Sequence, residues 1–84
     1  MTVEEVNLEL SREIERERQL RLELGQVVAR MKDLRRGMGI ARDRGMHRLD
    51  RDIALEKVRE VEIKIDMVKV RGRKERLSQE LNRL

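Results

Sequence analysis

The stretch RRGMGIARDRG, residues 35–45, interrupts an otherwise helix-favouring sequence. It contains three of the five glycines in the 84-residue chain, and proline is absent. Glycine is costly inside a helix and common just after its last turn, where basic residues such as Arg35 and Arg36 are also favoured. We therefore expect one all-α domain over residues 1–84. It would consist of a helix over 2–36, a Gly/Arg-rich connection over 37–46 and a helix over 47–84, with Gly72 as a candidate break.

The first arm combines a helix start with a heptad repeat. Thr2 and Glu5 have the spacing of a capping box, in which each side chain bonds the backbone of the other residue. Apolar residues then recur at two positions of a seven-residue repeat, which keeps one side of a helix against a partner helix. Val3, Leu10, Leu24, Met31 and Met38 occupy one position, and Val6, Leu20, Val27, Leu34 and Ala41 occupy the other.

Two carboxylates, Glu13 and Glu17, interrupt this repeat at its core positions. One interpretation is that they reach the edge of the contact and pair with basic residues of the second arm. The other is a buried acidic pair that fixes the alignment of the helices or binds a metal ion. The first is favoured, because no histidine or third carboxylate stands nearby at a coordinating spacing.

The second arm has two apolar sides if it is wound at about 100° per residue. One side contains Val58, Val61, Ile65 and Val68, and the other contains Ile63, Met67, Val70, Leu77, Leu81 and Leu84. A helix with two apolar sides needs two partners. A strand is the alternative over residues 61–71, because apolar and charged residues alternate from Val61 to Met67. A helix is favoured, since the flanking segments are helical and no hairpin turn adjoins the run.

These features predict two long antiparallel helices, a helical hairpin. If the turn is centred near residue 41, the numbers of facing residues add up to about 82. Glu13 and Glu17 would then lie close to basic residues of the second arm, namely Lys64, Lys69 and Arg71. The first arm is acidic and the rest of the chain basic, which suits antiparallel pairing.

A hairpin shields one side of each helix, so the remaining apolar residues need another molecule. Aromatic residues are absent and 45% of residues are charged, which favours a thin structure with little core. We expect a homodimer that forms a four-helix bundle. Its interface is predicted from the apolar residues left outside the hairpin contact: Leu8, Leu22, Ile63, Met67, Val70 and Leu77.

The sequence offers little for catalysis. Cysteine is absent, His47 is the only histidine, and neither Ser11 nor Ser78 is expected to have a base beside it. We therefore expect no enzyme activity, no cofactor and no metal. No apolar run approaches the roughly 20 residues that span a bilayer, and the start of the chain lacks the pattern of a signal peptide. A cytoplasmic protein without membrane contact is expected.

Arginines cluster around the connection and suggest a second function. Guanidinium groups bind phosphates in pairs of hydrogen bonds, so this segment is a candidate contact for DNA or RNA. The missing aromatics exclude base stacking, and the 17 acidic residues weaken attraction to phosphates. The predicted function is thus a non-enzymatic adaptor that binds itself and an unidentified protein, with nucleic-acid binding as the alternative. The candidate phosphate contacts are Arg35, Arg36, Arg42, Arg44, Arg48 and Arg51.

Overall fold

The structure, a computed structural model, describes residues 1–40 and 46–84, with side chains described for residues 1–37 and 48–84. It consists of two α-helices, α1 over Val3–Ile40 and α2 over Met46–Arg83, each 38 residues long. The helices pack against each other in antiparallel orientation, since Glu13 bonds Arg73 while Arg30 bonds Glu56. The predicted all-α hairpin is confirmed, and residues 61–71 are helical, so the strand alternative is wrong.

The start of α1 has one of the two predicted capping bonds, because the Glu5 carboxylate bonds the hydroxyl of Thr2 and not its backbone N–H. The backbone N–H of Glu5 donates to Thr2 Oγ1 at 3.1 Å, and the hydroxyl donates to Glu5 Oε1 at 3.1 Å. The N–H of Val6 donates to the carbonyl of Thr2 at 3.0 Å, which is the first bond of the helix. Glu4 and Glu5 place negative charge in the first turn, where the helix dipole favours it.

The predicted end of α1 at Arg36 is wrong, because the helix continues through Gly37 to Ile40. Gly37 faces α2, and a β-carbon built there would lie 3.7 Å from both methyl groups of Leu49. Packing between the helices therefore outweighs the helix cost of about 1 kcal/mol for a glycine. Likewise α2 passes through Gly72 without a break. Arg42, Arg44 and Gly45 lie outside the described residues.

The longer α1 also changes the alignment of the two helices. The residue numbers add up to 86 in the pairs Gly37–Leu49, Arg30–Glu56 and Glu13–Arg73. The other two ion pairs between the helices lie on either side of this value, with 82 for Glu23–Arg59 and 91 for Glu17–Lys74. The expected value was about 82, so the prediction was wrong by roughly one helical turn. The reason is the position of the turn, whose centre between Ile40 and Met46 is residue 43.

The hairpin is long and thin. Its extents are 63 × 15 × 13 Å, and its radius of gyration is 18.8 Å, against about 12 Å for a compact domain of this length. Its accessible surface is 6739 Å², against about 5,300 Å² for a compact protein of this mass. A large share of the apolar residues therefore stays in contact with solvent.

The core is a single strip between the helices, which we call the seam. Its central cluster contains Leu20, Val27, Met31, Ile63, Met67 and Val70, with Leu24 packed against it. Among the described side chains of α1, the seam follows the predicted heptad positions, except that Val3 is 47% exposed. The predicted positions Met38 and Ala41 lie outside the described side chains. On α2 buried or half-buried residues recur at spacings of four and three: Leu49, Ile53, Glu56, Glu60, Ile63, Met67, Val70, Lys74, Leu77 and Leu81.

The expectation that Ile63, Met67, Val70 and Leu77 are left exposed is wrong. Ile63 and Val70 are 2% and 1% exposed, and Met67 is 8% exposed, because they pack on α1. The heptad spacing through these residues extends over the whole of α2, if the polar Glu56, Glu60 and Lys74 are included. The competing spacing through Val58, Val61, Ile65 and Val68 ends at Gly72 and Glu75. The longer repeat matches the length of α1 and therefore takes the seam.

Candidate interaction surface

The polar interruption of the seam is an ion-pair layer. Glu17, with 7% of its side chain exposed, accepts a hydrogen bond from Lys74 Nζ at 2.9 Å and is also bonded by Arg21. Glu13 accepts from Arg73 Nε at 2.9 Å. The carboxylates thus pair with basic residues of the second arm, as the favoured interpretation predicts. The hydrogen-bond donors are Arg73 and Lys74 in place of the predicted neighbours Lys64, Lys69 and Arg71. Arg71 is nevertheless close enough for its charge to act on Glu17.

The surroundings of Glu17 keep it ionised. The hydrogen bond from Lys74 lowers the pKa of the Glu17 carboxyl, and the positive charges of Lys74, Arg21 and Arg71 act in the same direction. Burial raises the pKa but does not outweigh these effects. Glu17 is therefore a charged structural group at neutral pH and does not hold a proton for chemistry.

Two further ion pairs join the helices beside the seam. Arg30 Nε donates to Glu56 Oε1 at 3.0 Å, and Arg59 Nη2 donates to Glu23 Oε2 at 3.4 Å. Their arginine side chains are about half exposed, so each pair contributes little stability. Together with the Glu13 and Glu17 pairs they place opposite charges across the seam, which favours this pairing of the helices.

The side of α2 that faces away from α1 carries a second apolar repeat, which we call the outer stripe. Val58, Val61, Ile65 and Val68 are between 50% and 67% exposed and are spaced by three, four and three residues. Ala54 and Gly72, both exposed, extend the spacing at either end. The stripe is about 27 Å long, and its centre lies about 150° around the helix from the centre of the seam.

The two edges of the outer stripe are mostly basic. Along the helix, the residues next to the stripe are all exposed. Lys64 Nζ also bonds Glu60 Oε1 at 2.8 Å on its own helix. One edge consists of Asp50, Lys57, Lys64 and Arg71, and the other of Leu55, Glu62, Lys69 and Arg76.

The predicted interface residues on α1 lie apart from this stripe. Leu8 and Leu22 are 55% and 62% exposed, as expected. They occupy the side of α1 away from α2, separated by Glu15 and Arg18, and so form no continuous apolar repeat. Among the predicted interface residues, those on α2 lie inside the hairpin and those on α1 lie on its surface.

The candidate phosphate contacts within the described residues lie at the end of the hairpin where α1 finishes and α2 starts. Arg35, Arg36, Arg48 and Arg51 are all exposed. Arg36 Nη1 is 3.9 Å from Asp33 Oδ1, which is a long and weak contact. Arg42 and Arg44 lie outside the described residues.

Shallow grooves of about 300–490 Å³ run along the helices, and ion-pair residues line them. Among the described side chains, no three histidine, aspartate or glutamate residues are grouped as metal ligands. His47 lies outside the described side chains. Within residues 1–40 and 46–84, neither helix has a segment both long and apolar enough to cross a membrane.

Comparisons of the chain with protein-family models, with curated proteins and with solved structures find no match. The candidate surface is therefore defined by its own geometry and charge. Sequence reasoning found the four apolar residues of the outer stripe but assigned them to the seam. The available signal was the length of each repeat on α2, since only the repeat through Ile63 continues to Leu81.

Proposed function

We propose that this protein is a non-enzymatic interaction module, a helical hairpin that binds another helix through the outer stripe of α2. The observation that carries the proposal is the exposure of Val58, Val61, Ile65 and Val68 at heptad spacing. Single exposed apolar residues are common on protein surfaces and need no explanation. A regular repeat of them on one side of a helix is the pattern by which helices pair.

The size of the stripe indicates the strength of the association. Full burial of one Val or Ile side chain contributes about 1.5–3 kcal/mol, so covering the exposed half of four contributes roughly 4 kcal/mol. Association costs about 4–15 kcal/mol in lost translational and rotational freedom. Apolar contact alone therefore yields weak binding, and charges at the edges of the stripe have to contribute to affinity and partner choice.

A dimer of hairpins is one assembly that would cover the stripe, although the α2 residues from which the sequence predicted a four-helix bundle lie inside the hairpin. Because the stripe lies nearly opposite to the seam, the two α2 helices would meet in the middle and the two α1 helices would lie outside. Four helices would then form a row and not a square bundle. A helix from a different protein is the other way to cover the stripe.

Association and its site can be tested together. Sedimentation velocity over a wide concentration range measures self-association, and binding of a designed peptide with a heptad seam of Leu and Ile measures partner association. Val61→Asp and Ile65→Asp are expected to abolish whichever association occurs, with helicity unchanged because both side chains are exposed. Leu22→Asp is the matched control on α1. An association that survives both stripe variants, or a chain that associates by neither route, would contradict the proposal.

Phosphate binding at the turn end is the second candidate function. It is favoured by the exposure of Arg35, Arg36, Arg48 and Arg51 at one end of the hairpin. Titration with duplex DNA and with RNA at two salt concentrations tests it, because binding through phosphates weakens steeply as salt rises. Arg48→Gln with Arg51→Gln should weaken such binding. Failure to bind at low salt would rule this function out.

A further inference from the structure

We propose that the outer stripe of α2 accepts an amphipathic helix of another protein whose edges are acidic, and that it does not accept a second copy of this chain. The inference rests on the proposed function and specifies its partner. It follows from the charges on either side of the stripe, which are described above. All of them are exposed, so each would face the edge of a docked helix.

The two edges carry more positive than negative charge. Of their eight residues, five are basic, two are acidic and one is Leu55. In paired helices, residues at these edge positions contact the edges of the partner, where opposite charges attract and set partner choice. A partner helix with Glu or Asp at its edges would form ion pairs along both sides of the stripe. The basic residues available to it are Lys57, Lys64, Lys69, Arg71 and Arg76.

A second copy in the antiparallel orientation with full overlap would bring like charges together. That overlap pairs Val61 with the partner's Ile65, and two-fold symmetry then fixes every other contact. Lys64 would face the partner's Lys64, and Lys57 would face the partner's Arg71. Glu62 would face the partner's Glu62. Every charged pair across this interface would be repulsive, which disfavours self-association.

Other alignments of two copies also carry a penalty. A shift of one heptad places Val58 opposite the partner's Glu75, or Val68 opposite the partner's Arg51, and removes an apolar layer from the contact. The first shift gains an attractive Glu62–Lys69 pair but sets Lys64 against Arg71. The second gains Asp50–Arg71 but sets Lys57 against Lys64. In a parallel pair, Lys57 would meet Glu62 favourably. Lys64 and Arg71, however, would meet Lys69 and Arg76, so two of three charged pairs would be repulsive.

The side chains of the stripe favour a helix over a lipid surface as the occupant. Val58, Val61, Ile65 and Val68 are short and β-branched, and Ala54 and Gly72 allow close approach of a second backbone. Helices that lie in a membrane interface commonly insert Trp, Phe or Leu, and the chain has no aromatic residue. A regular spacing of four and three residues along the stripe matches the knobs of a partner helix.

Two designed peptides of identical apolar seam test the proposal, one with Glu at both edges and one with Lys. Binding to the full chain is measured by isothermal titration calorimetry at low and moderate salt. We expect the Glu-edged peptide to bind at least about tenfold more tightly, and the difference to shrink as salt rises. Equal binding of the two peptides, or preference for the Lys-edged peptide, would overturn the proposal.

Variants of the hairpin separate charge from apolar contact. Lys57→Glu, Lys64→Glu and Lys69→Glu combined should reverse the preference towards the Lys-edged peptide, whereas Val61→Asp should abolish binding of both peptides. Helicity measured by circular dichroism should stay unchanged, because these side chains are exposed.

The experiments give a different result if the outer stripe binds a second copy of the chain or a membrane instead of a partner helix. A wild-type dimer that Val61→Asp converts to monomers would identify a second copy, overturning this inference while supporting the proposed function. The chain could instead bind vesicles containing phosphatidylserine, lose this binding in Val61→Asp, and show no preference between the two peptides. That result would identify a membrane surface as the occupant and would overturn both this inference and the proposed function. A chain that binds neither peptide, copy nor vesicle would also contradict both.

Discussion

Lys74 Nζ lies 2.9 Å from Glu17 Oε2, and each residue occupies a core position of the heptad repeat on its helix. Burying a charged pair costs desolvation that its attraction only partly offsets, so such a pair adds little net stability. The pair instead changes the relative free energy of other alignments of the two helices. In another alignment of the helices, Glu17 would lose this hydrogen bond from Lys74 and would need another basic residue in its place. We therefore expect the pair to favour the observed alignment.

Lowering the pH should weaken the folded state through Glu17. The pKa of this carboxyl is below its usual value of 4.5, so ionisation favours the folded protein. Its contribution is fully present above about pH 4.5 and is lost as the pH falls through the lowered pKa. Glu17→Gln lacks this contribution, so the wild type should be the more stable protein at pH 7. The difference between the urea midpoints of the two proteins should shrink below about pH 4.5; a constant difference would refute the assignment.

Replacing the whole charged pair should be tolerated better than breaking it. Lys74→Leu leaves Glu17 without its hydrogen-bond donor from α2 and should lower the thermal midpoint. The double variant Glu17→Leu and Lys74→Leu should restore the midpoint or raise it, because both positions face the seam. Loss of one uniquely populated alignment, seen as broadened or duplicated NMR signals, is expected in the double variant. A double variant less stable than Lys74→Leu would contradict this account.

A matched pair of alanine variants tests which side of α2 packs on α1. Ile63→Ala should cost about 2–5 kcal/mol, since Ile63 is 2% exposed and the change leaves a cavity. Ile65→Ala removes the same atoms two residues away and should cost less than about 1 kcal/mol, since Ile65 is 50% exposed. Urea denaturation measures both. If Ile63→Ala prevents folding, Ile63→Val and Ile65→Val give the same comparison at smaller cost. If Ile65→Ala destabilised the protein more than Ile63→Ala, the side of α2 assigned to the seam would be the wrong one.

Glycine removal should stabilise the helices. Gly25 and Gly72 lie inside helices, none of the backbone angles requires glycine there, and no atom lies within 4 Å of an added β-carbon. Gly25→Ala and Gly72→Ala should each raise the free energy of unfolding by about 0.5–1 kcal/mol. Gly37→Ala should raise the free energy of unfolding by at least the same amount, since the new methyl group would contact Leu49 at an ordinary van der Waals distance. A lower urea midpoint than that of the wild type in any of these variants would contradict the prediction.

Local features of the structure could be predicted from the sequence where neighbouring residues decide them. The cap that the Thr2 hydroxyl forms on the Glu5 N–H and the described part of the α1 seam belong to this group, because both depend on spacing along one helix. The pairing of Glu13 and Glu17 with basic residues of α2 also followed, since buried carboxylates need counter-charges. The partners themselves could not be found, because they depend on the alignment and hence on where the turn lies.

The sequence by itself determined two helices, their heptad repeats and the excess of apolar surface, since propensity and periodicity act within one segment. The tertiary structure decided which side of α2 packs on α1, how the helices are aligned and which apolar residues stay exposed. These depend on the total energy of contact along the full length of both helices. Over that length the repeat through Ile63 and Val70, continued by the Lys74–Glu17 pair, outcompetes the shorter repeat through Val61 and Ile65.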